Sequence, residues 1–119
     1  MLSPRLEDVY WKLVELDGEA VDTAACPQEP HLLFLSEGSR LAGSGGCNRL
    51  AGTYEAAGEE LRFQPIAMTR MACEPSVMEL EHAVAAALGA TDGYRITDGE
   101  LELRNGERLL ARLRFTPAG

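Results

Sequence analysis

Only one stretch of this chain repeats its apolar residues at helical spacing, so extended structure must bury most of the rest. Val77, Leu80, Val84, Ala87 and Leu88 recur on one side of a helix, while Glu79, Glu81 and His82 fall mostly elsewhere. Ser76 stands three residues before Glu79, the spacing of a capping box, with Pro75 just ahead of it. Gly89 offers a natural stop. The pattern predicts one amphipathic helix of about three to four turns over 77–88.

The remainder reads as short strands and tight turns. Val9 to Leu16 is rich in β-branched and aromatic residues, holds Trp11 as a core anchor, and ends at the turn pair Asp17-Gly18. Leu32 to Leu35 forms a second run, stopped by Ser36-Glu37-Gly38-Ser39. Extended structure resumes at Gly52-Thr53-Tyr54-Glu55 and at Leu61-Arg62-Phe63, and Pro65 then confines its segment to an edge or a bend. Tyr94 to Ile96, Leu101 to Leu103 and Leu109 to Phe115 make a meander joined by Asp98-Gly99 and Asn105-Gly106. Short strands around one helix predict an α+β domain dominated by antiparallel sheet. Trp11, Leu13, Leu33, Phe63, Leu80, Val84, Leu88, Leu103 and Phe115 are its expected core.

At 119 residues the chain is expected to be one domain with a core large enough to fold without metals. Eleven basic against nineteen acidic residues give a net charge of -8, which repels phosphate backbones and anionic lipid and argues against nucleic-acid binding. No run approaches the about 20 apolar residues needed to span a bilayer. The opening MLSPRLEDVYWKL has no apolar signal region, so either a cytoplasmic protein or a mature fragment without its leader is expected. Three cysteines (Cys26, Cys47 and Cys73) suit an oxidising compartment as one pair plus one thiol, or a reducing one as three thiols.

Several chemistries can be weighed on the residues. A hydrolase would use Cys47 as nucleophile, His31 or His82 as base and Asn48 as orienter, yet neither histidine has a sequence relation to Cys47. Zinc would need C-x2-C or H-x3-H spacing, which is absent. Gly43-Ser44-Gly45-Gly46 lacks the lysine of a phosphate loop and the spacing of a dinucleotide fold, so these glycines read as a corner in a curved sheet. Met68, Met71 and Met78 could bind a soft metal, and gap-filling in the core is the favoured reading. No catalytic residue, cofactor or metal is therefore expected.

Two segments together carry a family resemblance. Gly45-Gly46-Cys47-Asn48-Arg49 followed by Gly52-Thr53-Tyr54, then Met68-Thr69-Arg70-Met71-Ala72-Cys73 leading into a helix with Glu81 and Leu88, resemble the META domain, the family of HslJ-like bacterial heat-shock and envelope proteins. The opening Trp11-Lys12-Leu13 and the run Leu32 to Phe34 fit the start of that family. The resemblance covers roughly residues 9 to 115 of a single domain spanning 1–119. It departs at Val84, where the family commonly carries Phe.

The resemblance implies a curved antiparallel sheet, a partial barrel, packed on a single helix. Its motif residues Gly46, Cys47, Asn48, Gly52, Tyr54, Thr69, Met71, Cys73, Ser76 and Glu81 would then be structural. It also implies a non-enzymatic, monomeric module of the bacterial envelope or stress response, similar to lipoprotein domains, that binds an unknown protein partner or a small apolar ligand. A thiol enzyme using Cys47 and a purely structural domain of a larger lipoprotein are the alternatives. Because Cys47 and Cys73 both belong to the family-like blocks and Cys26 to neither, a Cys47–Cys73 disulfide is expected. The alternative is two small buried hydrophobes.

Overall fold

The computed structural model describes residues 5–116. Ten strands and one α-helix follow one another along them. The strands are β1 (Tyr10–Leu16), β2 (Glu19–Ala20), β3 (His31–Leu35), β4 (Arg40–Ser44), β5 (Arg49–Ala57), β6 (Glu60–Phe63), β7 (Ala67–Met68), β8 (Gly93–Thr97), β9 (Glu100–Asn105) and β10 (Arg108–Thr116). The helix α1 (Pro75–Ala90) lies between β7 and β8.

Eight strands pair in the ring order β1, β3, β4, β5, β6, β8, β9, β10, and β10 returns to pair with β1. The pairings are antiparallel, so the sheet is a closed barrel and not the partial one expected. Trp11 faces Phe115 and Leu13 faces Leu113 across the closing seam. The register shifts between Leu13 and Glu15 on β1 and between Leu109 and Ala111 on β10. Bulges of this kind sharpen the local twist, which helps a sheet curl until its edges meet. The β10 bulge also turns both Leu110 and Ala111 inward, interrupting strict alternation.

β2 extends the sheet beside β1, and β7 lies against β5 at Leu50 and Ala51. The two-residue turn after β9 is Gly106-Glu107, one position later than expected, because Asn105 still pairs with Arg108. Freed from the turn, the Asn105 side chain donates to the Ala90 carbonyl at the end of α1.

Trp11, Phe34, Leu61, Leu101 and Leu113 are fully enclosed in the lumen. Trp11 Nε1 donates to the Leu6 carbonyl at 2.9 Å, which satisfies its one polar atom. Tyr54 is buried edge-on to Phe34 and its hydroxyl donates to Glu7. Leu33, expected in the core, is only half-buried: Leu32 and Phe34 point inward, and alternation sends Leu33 to the outer face. Phe63, Leu80 and Phe115 pack at the margin of the core, not at its centre.

Helix α1 packs Val84 and Leu88 into the same cluster as inward residues of β1, β3, β9 and β10. One helix can reach the inner faces of strands on different sides of a closed barrel only across an open end, so α1 stoppers one mouth. It begins two residues earlier than expected. Pro75 takes the first helical position, where its fixed φ fits and its missing N–H is not needed. Glu74 is therefore the N-cap, Ser76 lies inside the helix, and no side chain caps this end. Ser76→Ala is expected to change stability by no more than about 0.5 kcal/mol, as at an ordinary exposed site. A loss above about 1 kcal/mol in urea unfolding would restore the capping role. Gly89 also stays helical, and the helix ends where the Thr91 amide bonds the Leu88 carbonyl. The Thr91 hydroxyl donates to the Ala87 carbonyl at 2.7 Å.

Candidate binding groove and its clamp

The glycine-rich corner between β4 and β5 turns the chain under the start of α1. A Cβ on Gly43 would collide with the His31 carbonyl of the neighbouring strand. At Gly46 φ is +115°, a left-handed value that side chains disfavour, and its amide donates to Ser44 Oγ at 3.0 Å. The Gly45 amide donates to the Asn48 carbonyl at 3.1 Å. This tight corner leaves the next two amides, of Cys47 and Asn48, aimed at the helix.

Glu81 receives them. It is only 3% exposed and lies in the buried stripe Val77, Glu81, Val84, Leu88, not off the apolar face as the periodicity suggested. Its Oε2 accepts from the Cys47 amide at 3.0 Å and from the Asn48 amide, and its Oε1 accepts from Asn48 Nδ2 at 2.8 Å. A buried carboxyl group is tolerated when backbone and amide donors replace water in this way.

Asn48 uses its whole side-chain capacity. Nδ2 donates to Glu81 and, at 3.1 Å, to the Met71 carbonyl. Oδ1 accepts from the Thr69 hydroxyl at 2.9 Å and from the Met71 amide at 2.6 Å. Thr69 Oγ1 in turn accepts from the Arg49 amide at 3.0 Å. The Cys47–Cys73 disulfide, with Cα atoms 6.3 Å apart, fastens the same segment to the corner. Gly46, Cys47, Asn48, Thr69, Met71, Cys73 and Glu81 thus meet in one clamp. Gly52 and Tyr54 lie further along β5, and Ser76 takes no part in the clamp's hydrogen bonds.

This arrangement leaves little for the hydrolase constellation to use. Cys47 is 1% exposed and its sulfur is bonded to Cys73. His31 stacks on Tyr10 at 4.4 Å, with Nδ1 2.9 Å from the Glu29 carbonyl oxygen. Asn48 is fully committed. Among the described residues no group of three His, Cys, Asp or Glu side chains could hold a metal ion.

Cys26 is the free cysteine, half-buried, its sulfur 3.0 Å from where a Gly46 Cβ would stand. Burial, then the charges of Asp22 and Glu81, push its thiol above the ordinary value. Native protein is expected to show one titratable thiol. Its alkylation should lag a free cysteine at pH 8 and accelerate only as pH climbs past the usual thiol pKa of about 8.5. Two or three fast thiols would contradict both the disulfide and the burial.

The clamp shapes the surface above it. An open groove of about 660 Å³ runs between segment 66–72 and the helix face of Met78, His82 and Ala85, with Asn48 and Glu81 among its lining residues. The barrel lumen, in contrast, retains a cavity of only about 10 Å³, room for one water at most. Of the three methionines expected to fill gaps in the core, Met68 does pack at the core margin, while Met71 does not. Met71 is 55% exposed, and Met68 and Met78 are half-buried along the groove. The clamp explains this for Met71: its backbone amide and carbonyl are both held by Asn48, which fixes the main chain and leaves the side chain outside. Sequence spacing showed the methionines close together but not that the wall carrying them is tied down.

A model of the META domain family matches residues 4–117. An NMR structure superposes with a TM-score of 0.69 at 25% identity, over 94% of each chain. An NMR structure of a protein from Burkholderia xenovorans superposes with a TM-score of 0.69 at 29% identity, over 93% of this chain and 83% of that one. No curated protein matches the chain in sequence.

Proposed function

The chain belongs to the META domain family, and from that premise we propose that it is a non-enzymatic module of the bacterial envelope that docks a protein segment in the methionine-lined groove. The observation that carries this reading is Met71, held 55% exposed by a clamp that spends a disulfide and a fully bonded asparagine on its main chain. Methionine adapts its shape to apolar partners at little cost, which suits a recognition surface. Arg70 lines the groove and forms no ion pair among the described residues, so a segment with apolar side chains and an acidic flank fits best. A small apolar ligand is less favoured because the lumen is filled. The disulfide supports an oxidising compartment, and the engagement of the Cys47 sulfur in that bond supports a non-catalytic role for this cysteine.

The test is a photo-crosslinking residue at position 71 in the native host, with exposed Arg95 on β8 as the control site. A discrete adduct from 71 and not from 95 is expected. The crosslinked segment of that partner, purified and titrated in, should shift amides of 66–72 and of residues 78, 82 and 85. Adducts equal at both positions, or shifts scattered over the barrel, would remove the groove as the docking site.

A further inference from the structure

We infer that the groove also binds a soft monovalent metal ion, Cu⁺ or its redox-silent analogue Ag⁺, through the thioethers of Met71 and Met78 and the imidazole of His82, with Met68 as a fourth donor. This goes beyond partner docking and uses the same side chains for a different ligand.

Three of the chain's four methionines line this one groove, and His82 lines it with them. Met78 and His82 stand four residues apart on α1, so their side chains are neighbours on one face. Met71 comes from the opposite wall, which Asn48 and the Cys47–Cys73 disulfide together tie to the corner. The Asn48 amide bonds the Met71 main chain with one edge and Glu81 with the other, and Glu81 sits between Met78 and His82 along the helix.

The donor chemistry selects the ion. Thioethers are soft, neutral ligands that favour Cu⁺ over harder divalent ions, and imidazole accommodates copper as well. Hard cations need carboxylates, and the carboxyl group in the groove lining is turned away: both oxygens of Glu81 are engaged by Cys47 and Asn48. Thioethers release no proton on binding.

The experiment uses the full chain with its disulfide intact and Cys26→Ser, which removes the one free thiol that would itself capture silver. Silver nitrate is titrated in chloride-free buffer at pH 7.5 and the methionine methyl resonances are followed by ¹³C-edited NMR. One equivalent should shift the Met71 and Met78 methyls and the His82 ring together, with a single affinity. Met71→Leu and His82→Gln should each weaken silver binding at least about tenfold, since loss of an outer-shell partner alone costs about 10–100-fold. Zinc should not displace the silver. Unshifted methyls at one equivalent, unchanged affinity in both variants, or ready displacement by zinc would each overturn the site. If silver fails while the position-71 crosslink persists, the metal site is overturned and the docking surface stands.

Discussion

Glu81→Ala is expected to cost about 3–5 kcal/mol, a large part of the roughly 5–15 kcal/mol that holds a domain of this size together. The substitution strands three donors at once: the Cys47 amide, the Asn48 amide and one hydrogen of the Asn48 side chain. All are buried beneath α1, and each buried donor left without a partner costs about 1–3 kcal/mol. Some of that would be recovered by water entering the space the side chain vacates. Glu81→Gln should fall between, at about 1–3 kcal/mol. One amide oxygen can still serve the two backbone donors, but the new NH₂ then faces Asn48 Nδ2, donor against donor. Urea unfolding of the three proteins checks the ranking, and an alanine variant within about 1 kcal/mol of the parent would sink it. The damage should also be visible locally, because Asn48 is then free to rotate and release Met71, so amide exchange should rise first in 69–73.

The second large effect is the disulfide. Replacing both Cys47 and Cys73 by alanine should cost about 2–5 kcal/mol; for a loop of 26 residues the chain-entropy model gives about 3.5 kcal/mol. The loss should act mainly through the unfolded chain, since in the folded state Asn48 still anchors Met71 through both of its backbone groups. The variant should therefore keep the native spectrum while its midpoint falls by about 10–20 °C. Reduction of the parent should reproduce most of the shift. A midpoint unchanged by either treatment would mean the bridge constrains little that the fold does not already constrain. The two losses should not simply add, because Glu81 and Cys47 meet in the same clamp.

Much of the local structure is legible in the residues. Asp17-Gly18 and Asp98-Gly99 mark the turns they make, both pairs at positive φ. Alternation places Leu101 and Leu103 inside β9, and the one helical period in the chain becomes its one α-helix among the described residues. The family-like blocks around Cys47 and Cys73 belong to one clamp, although nothing in either block alone says what its members bond to.

What the sequence by itself determined is therefore the set of elements, because strand alternation, turn conformation and helical period are properties of neighbouring residues. What only the tertiary structure decided is everything that depends on distant pairing. Closure of the barrel rests on residues 10–16 meeting residues 111–116, a contact no local pattern encodes. Leu33 reads as core because it is apolar, and it lies on the outer face because register with its neighbours directs Leu32 and Phe34 inward. Glu81 reads as a surface residue because it is acidic. It is buried because a glycine corner more than thirty residues earlier supplies the donors that replace its water. Met71 reads as filler because it is apolar, and it lies exposed in the groove because Asn48 at that same corner holds the main chain beneath it. In each case the free energy of a side chain depends on partners brought together by folding, and composition along the chain cannot name them.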